Sequence, residues 1–232
     1  MTYLYRMKKA AINILFLLLP VINNAGILDS VLAKDANFTN YNIINLSGKG
    51  LSNTVFNLAL KGFKKRVSQG KIFNDNILKI VDYSQSSNSK RLYVIDLKNK
   101  KLLFNTYVAH GRNTGEEFAK TFSNDEGSLK SSLGFYVTEL PTIGLHTGFA
   151  LLINGIEKGF NDNALRRSII FHAANYVSES FIKNNGRLGR SLGCPALPTE
   201  SNRAIIETIK GGTCVFVYNP NNDYLCKSEL LK

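Results

Sequence analysis

Residues 188–196 read Leu188-Gly189-Arg190-Ser191-Leu192-Gly193-Cys194-Pro195-Ala196, and an apolar run, Ile169-Ile170-Phe171, comes before them and ends in His172. The later stretch is turn-prone, with Gly, Ser and Pro gathered around one Cys. A turn exposes the sulfur, and Arg190 four residues earlier supplies positive charge that favours thiolate over thiol. The earlier run suits a strand from whose end a side chain emerges at a sheet edge. A cysteine nucleophile needs a base within hydrogen-bond reach and a third group to orient that base. His172 before Cys194 offers such a pair, and no His follows Cys194, which excludes the papain-like order. On residue types alone an inert surface cysteine fits as well as a nucleophile, and each histidine fits a core imidazole satisfied by backbone.

Outward from this pair the chain is punctuated by Asn, Ser and Gly into short strand-like runs at 78–83, 91–97, 101–109, 134–140, 149–153, 168–171 and 213–218. Two stretches have helical spacing. Over 52–69, Val55, Phe56, Ala59, Leu60, Phe63 and Val67 recur at three- and four-residue steps, with Ser52 as N-cap and Gly70 as stop. The second helix covers 200–210 and closes at Gly211-Gly212. The expected fold class is therefore mainly β with flanking helices, a sandwich or barrel. Residues 34–50, Asn-rich and polar, read as a linker. Residues 51–220 then form the domain with its N-terminal helix, and 221–232 a tail.

With 232 residues, 44% hydrophobic and 20% charged, the chain is long and apolar enough for a packed core, and its 18 Gly and 5 Pro exclude disorder and collagen-like repeats. Arg6, Lys8 and Lys9 precede an apolar run from Ala10 to Ile22, broken by Asn13 and Pro20. A basic head before a run too short to span a bilayer reads as an export signal over 1–33, cleaved after Ala25 or Ala33, with an uncleaved anchor as the alternative. Beyond it no membrane association is expected. Without residues 1–33 the net charge of +12 falls to +10, 26 basic against 16 acidic residues; this suits an anionic polymer or membrane surface as well as a merely soluble basic surface, and nucleic acid is not an expected partner. Export also favours thiol pairing, so Cys214 and Cys226 could bridge, or Cys214 is simply a small buried residue. Zinc is the competing chemistry, but His110, His146 and His172 stand far apart without HExxH, HxH or a paired-Cys motif. No metal and no cofactor is expected.

The segments Phe171-His172-Ala173-Ala174-Asn175-Tyr176-Val177-Ser178 and Leu188 to Ala196 together resemble the active site of the YkuD-type L,D-transpeptidases, in the branch called the murein L,D-transpeptidase catalytic domain family. Val108-Ala109-His110-Gly111-Arg112, Phe122-Ser123-Asn124, Ser131-Ser132-Leu133-Gly134-Phe135-Tyr136 and Gly159-Phe160-Asn161-Asp162-Asn163-Ala164 extend the likeness over roughly 51–218. The resemblance implies a mixed two-sheet β-sandwich with Cys194 as nucleophile and His172 as its base. It also implies peptidoglycan stem peptides as donor and acceptor. The cysteine would attack the carbonyl between a diamino acid and a terminal D-alanine, and a second stem's amine would resolve the thioester into a 3→3 cross-link. His146, in Leu145-His146-Thr147-Gly148, matches a position near the site.

The surrounding residues suit that chemistry. A thiolate–imidazolium pair is ready to attack. The backbone N–H groups of Gly193 and Cys194 are the simplest oxyanion donors, and Gly193 permits a backbone angle other residues resist. Arg190 either binds a substrate carboxylate or pairs with Asp162 or Glu157, and Ser191 bonds locally in the turn. Gly commonly follows the catalytic His in this family, whereas this chain has Ala173. Alanine serves if only its carbonyl orients His172, and is strained if a positive φ is needed. Two other readings share the fold: an L,D-carboxypeptidase in which water replaces the amine, and a non-catalytic wall-binding protein. A sortase-like enzyme is disfavoured by the absence of a Thr-Leu-x-Thr-Cys signature. The protein is expected to be exported, in the periplasm or at the cell wall.

Overall fold

Val55, Phe56, Ala59, Leu60 and Phe63 are all buried on one side of a helix, α1, spanning Asn53–Ser68. Ser52 caps it, its Oγ accepting the Val55 N–H at 3.2 Å. Gly62 lies on the buried side, where an added Cβ would stand 2.1 Å from the Phe135 ring. A glycine inside a helix costs about 1 kcal/mol against alanine; here the missing methyl admits Phe135, which stacks on Phe216 with centroids 4.3 Å apart. The structure, a computed structural model, describes residues 40–232. The expected export signal and the first part of the expected linker lie outside the described residues.

The strands are β1 (Asn74–Asp82), β2 (Leu92–Asp96), β3 (Lys101–Thr106), β4 (Gly134–Gly144), β5 (Gly148–Gly155), β6 (Ile170–Ala173), β7 (Ala196–Leu197) and β8 (Thr213–Tyr218). Three further helices follow: α2 (Glu179–Asn185), α3 (Thr199–Ile209) and α4 (Asn222–Lys227). The apolar periodicity located α1, α3 and seven strands to within a few residues. It missed α2, α4 and the two-residue β7, which are too short to display a period.

The expected two-sheet arrangement is corrected. The eight strands form one mixed sheet in the order β3-β2-β1-β8-β4-β5-β6-β7. The last strand, β8, lies parallel to β1 and antiparallel to β4, so it joins the β1–β3 meander to the β4–β7 half. Register shifts at Asn74/Leu78, Val94/Ile95 and Thr138/Pro141 interrupt the ladders, and irregularities of this kind, with the ordinary strand twist, let a single sheet curl. All six residues of β8 are buried.

Two boundary expectations change as well. Tyr41, Ile44 and Leu46, inside the stretch read as a polar linker, belong to the core, and the Tyr41 hydroxyl donates to the Leu51 carbonyl at 2.6 Å. The apparent tail is folded too: Tyr224, Leu230 and Leu231 are core residues. Its anchor is the buried Glu157 carboxylate, which accepts the Tyr224 hydroxyl and the Phe135 N–H, at 2.9 and 2.7 Å, and the Ser228 hydroxyl. Asn residues and a short apolar spacing concealed both packings, because the partners are far away in sequence.

Candidate active site

The end of the sheet carries the two residues singled out by sequence. His172 sits in β6 and pairs in register with Ala196 of β7, while Ala150 of β5 flanks it on the other side. Cys194 lies in the bend two residues before β7. His172 Nδ1 lies 2.9 Å from the Ala173 carbonyl. A carbonyl only accepts, so Nδ1 carries the proton and Nε2 is left as the basic nitrogen. Ala173 is not among the residues with positive φ. Its carbonyl does the orienting without strain, and the glycine usual at this position is not required.

The cysteine turn is held from three directions. Inside it, Ser191 Oγ donates to the Cys194 carbonyl at 2.6 Å and accepts the Gly193 N–H at 3.1 Å. From one side the segment 109–112 pairs with it: Ser191 N donates to the His110 carbonyl at 3.0 Å, Arg112 N to the Ser191 carbonyl at 2.8 Å, and Ala109 N to the Ala196 carbonyl at 2.9 Å. From behind, Ser131 Oγ donates to the Gly193 carbonyl at 3.1 Å and accepts the Gly111 N–H at 3.0 Å. Gly193 has φ of 131°, a conformation open to glycine. In this structure the Gly193 N–H is engaged by Ser191 Oγ, and the Cys194 amide is the other backbone donor of the pair.

The 109–112 segment is itself fixed by a buried cluster. The Arg91 guanidinium donates to the Val108 and Gln85 carbonyls and reaches His110 Nδ1 at 2.8 Å, while His110 Nε2 lies 3.2 Å from the Gly115 carbonyl. Arginine only donates, so Nδ1 of His110 accepts and Nε2 donates. Burial, with the Arg91 charge second, holds His110 near a pKa of about 4. His110 is therefore a neutral structural imidazole. Tyr83 closes the cluster, its hydroxyl donating to the Ala109 carbonyl at 3.0 Å under the Arg91 guanidinium.

The electrostatics of the two central residues differ from a resting ion pair. Burial pushes the Cys194 thiol above its ordinary value, offset in part by the Ile170 N–H and the Arg167 charge. Burial also pushes His172 down, with the Ala173 carbonyl opposing. Both directions favour neutral thiol and neutral imidazole. The thiol is directed at the Ser168 carbonyl, 3.8 Å away, and among the described residues no hydrogen bond joins it to His172.

His146 is exposed at the turn between β4 and β5, where it and Thr147 line an open groove of about 430 Å³ with His172, Ala173, Tyr176 and Thr199. The sequence-predicted His146 and His172 are thus brought together. Arg190 is not at this groove. It pairs with Glu116 at 2.5 Å, alongside Arg187 at 2.7 Å, and braces the carbonyls of Arg112 and Gly115. Its expected partners are elsewhere: Asp162 accepts from Asn124 and the Gly159 N–H, and Glu157 anchors the C-terminal segment. Sequence reasoning missed Arg167 and Arg91, and it included Ser131 only within a segment of the family likeness, without a role. A basic pair, Arg166-Arg167, just before the apolar run was the sole local signal for the first; nothing local marks Arg91. All three cysteines are free thiols, with Cys214 buried in β8 and Cys226 exposed on α4. Among the described residues, no three His, Cys, Asp or Glu side chains gather to hold a metal ion.

A family model described as the L,D-transpeptidase catalytic domain matches residues 47–218. No curated protein matches the chain in sequence. Solved structures with a similar course include an L,D-transpeptidase from Mycobacterium smegmatis, 10% identical with a TM-score of 0.38 over 62% of this chain and 59% of that one. L,D-transpeptidase 1 of Mycobacterium tuberculosis is 9% identical, with a TM-score of 0.36, over 62% of each chain. The helical cell shape determining protein Pgp2 of Campylobacter jejuni is 14% identical, with a TM-score of 0.42, over 63% of this chain and 48% of its own. The chain thus spans less than two thirds of these structures, and the family match alone carries the assignment.

Proposed function

Because the chain belongs to the L,D-transpeptidase catalytic domain family, we propose that it acts outside the cytoplasm on peptidoglycan stem peptides and forms 3→3 cross-links through a Cys194 thioester. The observation that carries the reading is the His172 Nδ1 to Ala173 carbonyl contact of 2.9 Å. It leaves Nε2 as a base on the strand that flanks the cysteine turn.

The resting thiol is neutral, so attack begins with transfer of its proton to His172 Nε2. The sulfur bonds to the carbonyl carbon between the diamino acid and D-alanine, and the Cys194 N–H faces the charge developing on oxygen. The carbon–nitrogen bond breaks, and His172 returns the proton to the departing amine of D-alanine. The side-chain amine of a second stem then attacks the thioester. It gives a proton to His172, a new amide forms, and the carbon–sulfur bond breaks to restore the thiol. His146 borders the groove through which a stem would reach His172.

Incubation of the purified protein with tetrapeptide muropeptides tests this reading. Release of D-alanine with 3→3 dimers is the expected result. Tripeptides without dimers would mean that water is the acceptor, as in a carboxypeptidase. Unchanged substrate, together with no acylation of Cys194 by a carbapenem, would overturn the reading in favour of a non-catalytic wall-binding protein.

A further inference from the structure

The resting thiol is neutral, yet the reaction passes through thiolate, and the neighbourhood of Cys194 contains one fixed cation. Arg167 Nη1 donates to the Ser123 carbonyl at 2.9 Å and to Ser132 Oγ at 2.5 Å; Nη2 donates to the Lys130 carbonyl at 2.5 Å and approaches Ser128 Oγ at 3.4 Å. These contacts draw the 123–132 segment around the guanidinium. They also hold Nη2 against the cysteine turn: a Cβ built on Gly193 would lie 3.3 Å from it and 3.0 Å from the Lys130 carbonyl. None of the four partners is a carboxylate, so the charge is oriented by neutral dipoles and is not neutralised by them.

The residues that follow complete the setting. Ser168 adopts φ of 51°, unusual for a residue with a side chain, and its carbonyl receives the thiol at 3.8 Å. Ile170 begins β6 two residues further on, and its N–H favours the S⁻ form of the same sulfur. One short segment thus offers an acceptor to the S–H form and a donor and a cation to the S⁻ form.

We propose that Arg167, held beside the Gly193–Cys194 turn by its bonds to the 123–132 segment, is a positioning residue that supplies the positive charge which makes the Cys194 thiolate accessible. This deepens the transpeptidase reading and rests on it for the thiolate's use. Other groups facing the sulfur offer no alternative cation: Tyr83 and Tyr176 are phenols that would repel a thiolate if ionised, and His172 is held neutral. Asp125 and Tyr136 act on the guanidinium, and Arg190 is taken up by Glu116.

The test is the pH dependence of alkylation of Cys194 by iodoacetamide in the full chain, read by peptide mass so that Cys226 does not interfere. Arg167→Gln should lower the rate at pH 8 about tenfold, one pKa unit's worth of thiolate, whereas Arg167→Lys should stay within about threefold of wild type. Equal rates for wild type and folded Arg167→Gln would overturn the proposal and leave Arg167 as scaffold. An equal fall in both variants would do the same, since charge would then not be the cause. If Arg167→Gln fails to fold, Ser132→Ala, which loosens one guanidinium contact, should shift the profile the same way by a smaller step; no shift would again overturn it. Alkylation needs no muropeptide. A shifted profile without turnover on any stem peptide therefore sinks the functional reading and leaves this inference standing.

Discussion

Gly111 and Gly193 touch backbone to backbone: a methyl on Gly111 would lie 2.9 Å from the Gly193 Cα and 2.5 Å from the Leu129 carbonyl. This contact, with Ser131 bridging the two residues, seats the cysteine turn against the segment carrying His110. Gly111→Ala should displace the turn. We expect a stability loss of about 1–3 kcal/mol, the usual cost of overpacking, and a fall in kcat larger than the change in KM. Urea unfolding alongside steady-state turnover checks both, and an unchanged kcat would mean that the turn tolerates displacement.

Cys194→Ala should abolish turnover and leave the fold intact, since the side chain is half-buried and the hydrogen bond its thiol donates is the weak contact to Ser168. Mass spectrometry after carbapenem exposure should find no adduct. Cys214→Ser, in contrast, should retain turnover in whatever fraction folds, because that thiol is buried in β8 away from the groove.

His172→Ala should slow acylation by roughly 10²–10⁴-fold, the weight of a general base. The pH profile carries a sharper expectation. Burial lowers the His172 pKa, so the base stays unprotonated below the ordinary histidine value of about 6.5. The acid limb of kcat/KM should therefore lie below pH 6.5, and a midpoint above it would contradict the electrostatics of the site.

Stability should fall on acidification for a separate reason. His110 titrates near 4 in the folded chain, against an unfolded value of about 6.5. Between those values the unfolded chain binds more protons, so stability present above pH 6.5 is lost as pH drops toward 4, by up to about 3 kcal/mol. Thermal midpoints from pH 7 to 4 should show this slope, and His110→Asn, which has no titrating ring, should flatten it. The raised pKa of Glu157 acts with the opposite sign and the lowered pKa of His172 with the same sign. Both persist in the variant and cancel in the comparison.

Glu157→Ala removes the acceptor of the Phe135 N–H, the Tyr224 hydroxyl and the Ser228 hydroxyl together. Leaving buried donors unpaired should cost about 3 kcal/mol. The C-terminal helix should also loosen, which limited proteolysis near residues 219–221 would detect; resistance equal to wild type would mean that Leu230 and Leu231 alone hold it.

Local sequence determined the elements whose burial is periodic. The stripe from Val55 to Phe63 dictated α1, Ser52 its start, and the apolar runs the strands, because each pattern is set by which face of one segment leaves water. The order Ile170-Phe171-His172 likewise put the imidazole on a strand, and the Gly-Cys-Pro stretch put the thiol in a turn. Tertiary structure alone decided the rest. Only long-range pairing could insert β8 between β1 and β4, give Arg190 to Glu116, or bury the charged Arg91 beside His110 while His172 lined the groove. Two histidines of the same type acquired different roles through their desolvation and their partners, and those come from residues far away along the chain, which no local pattern encodes.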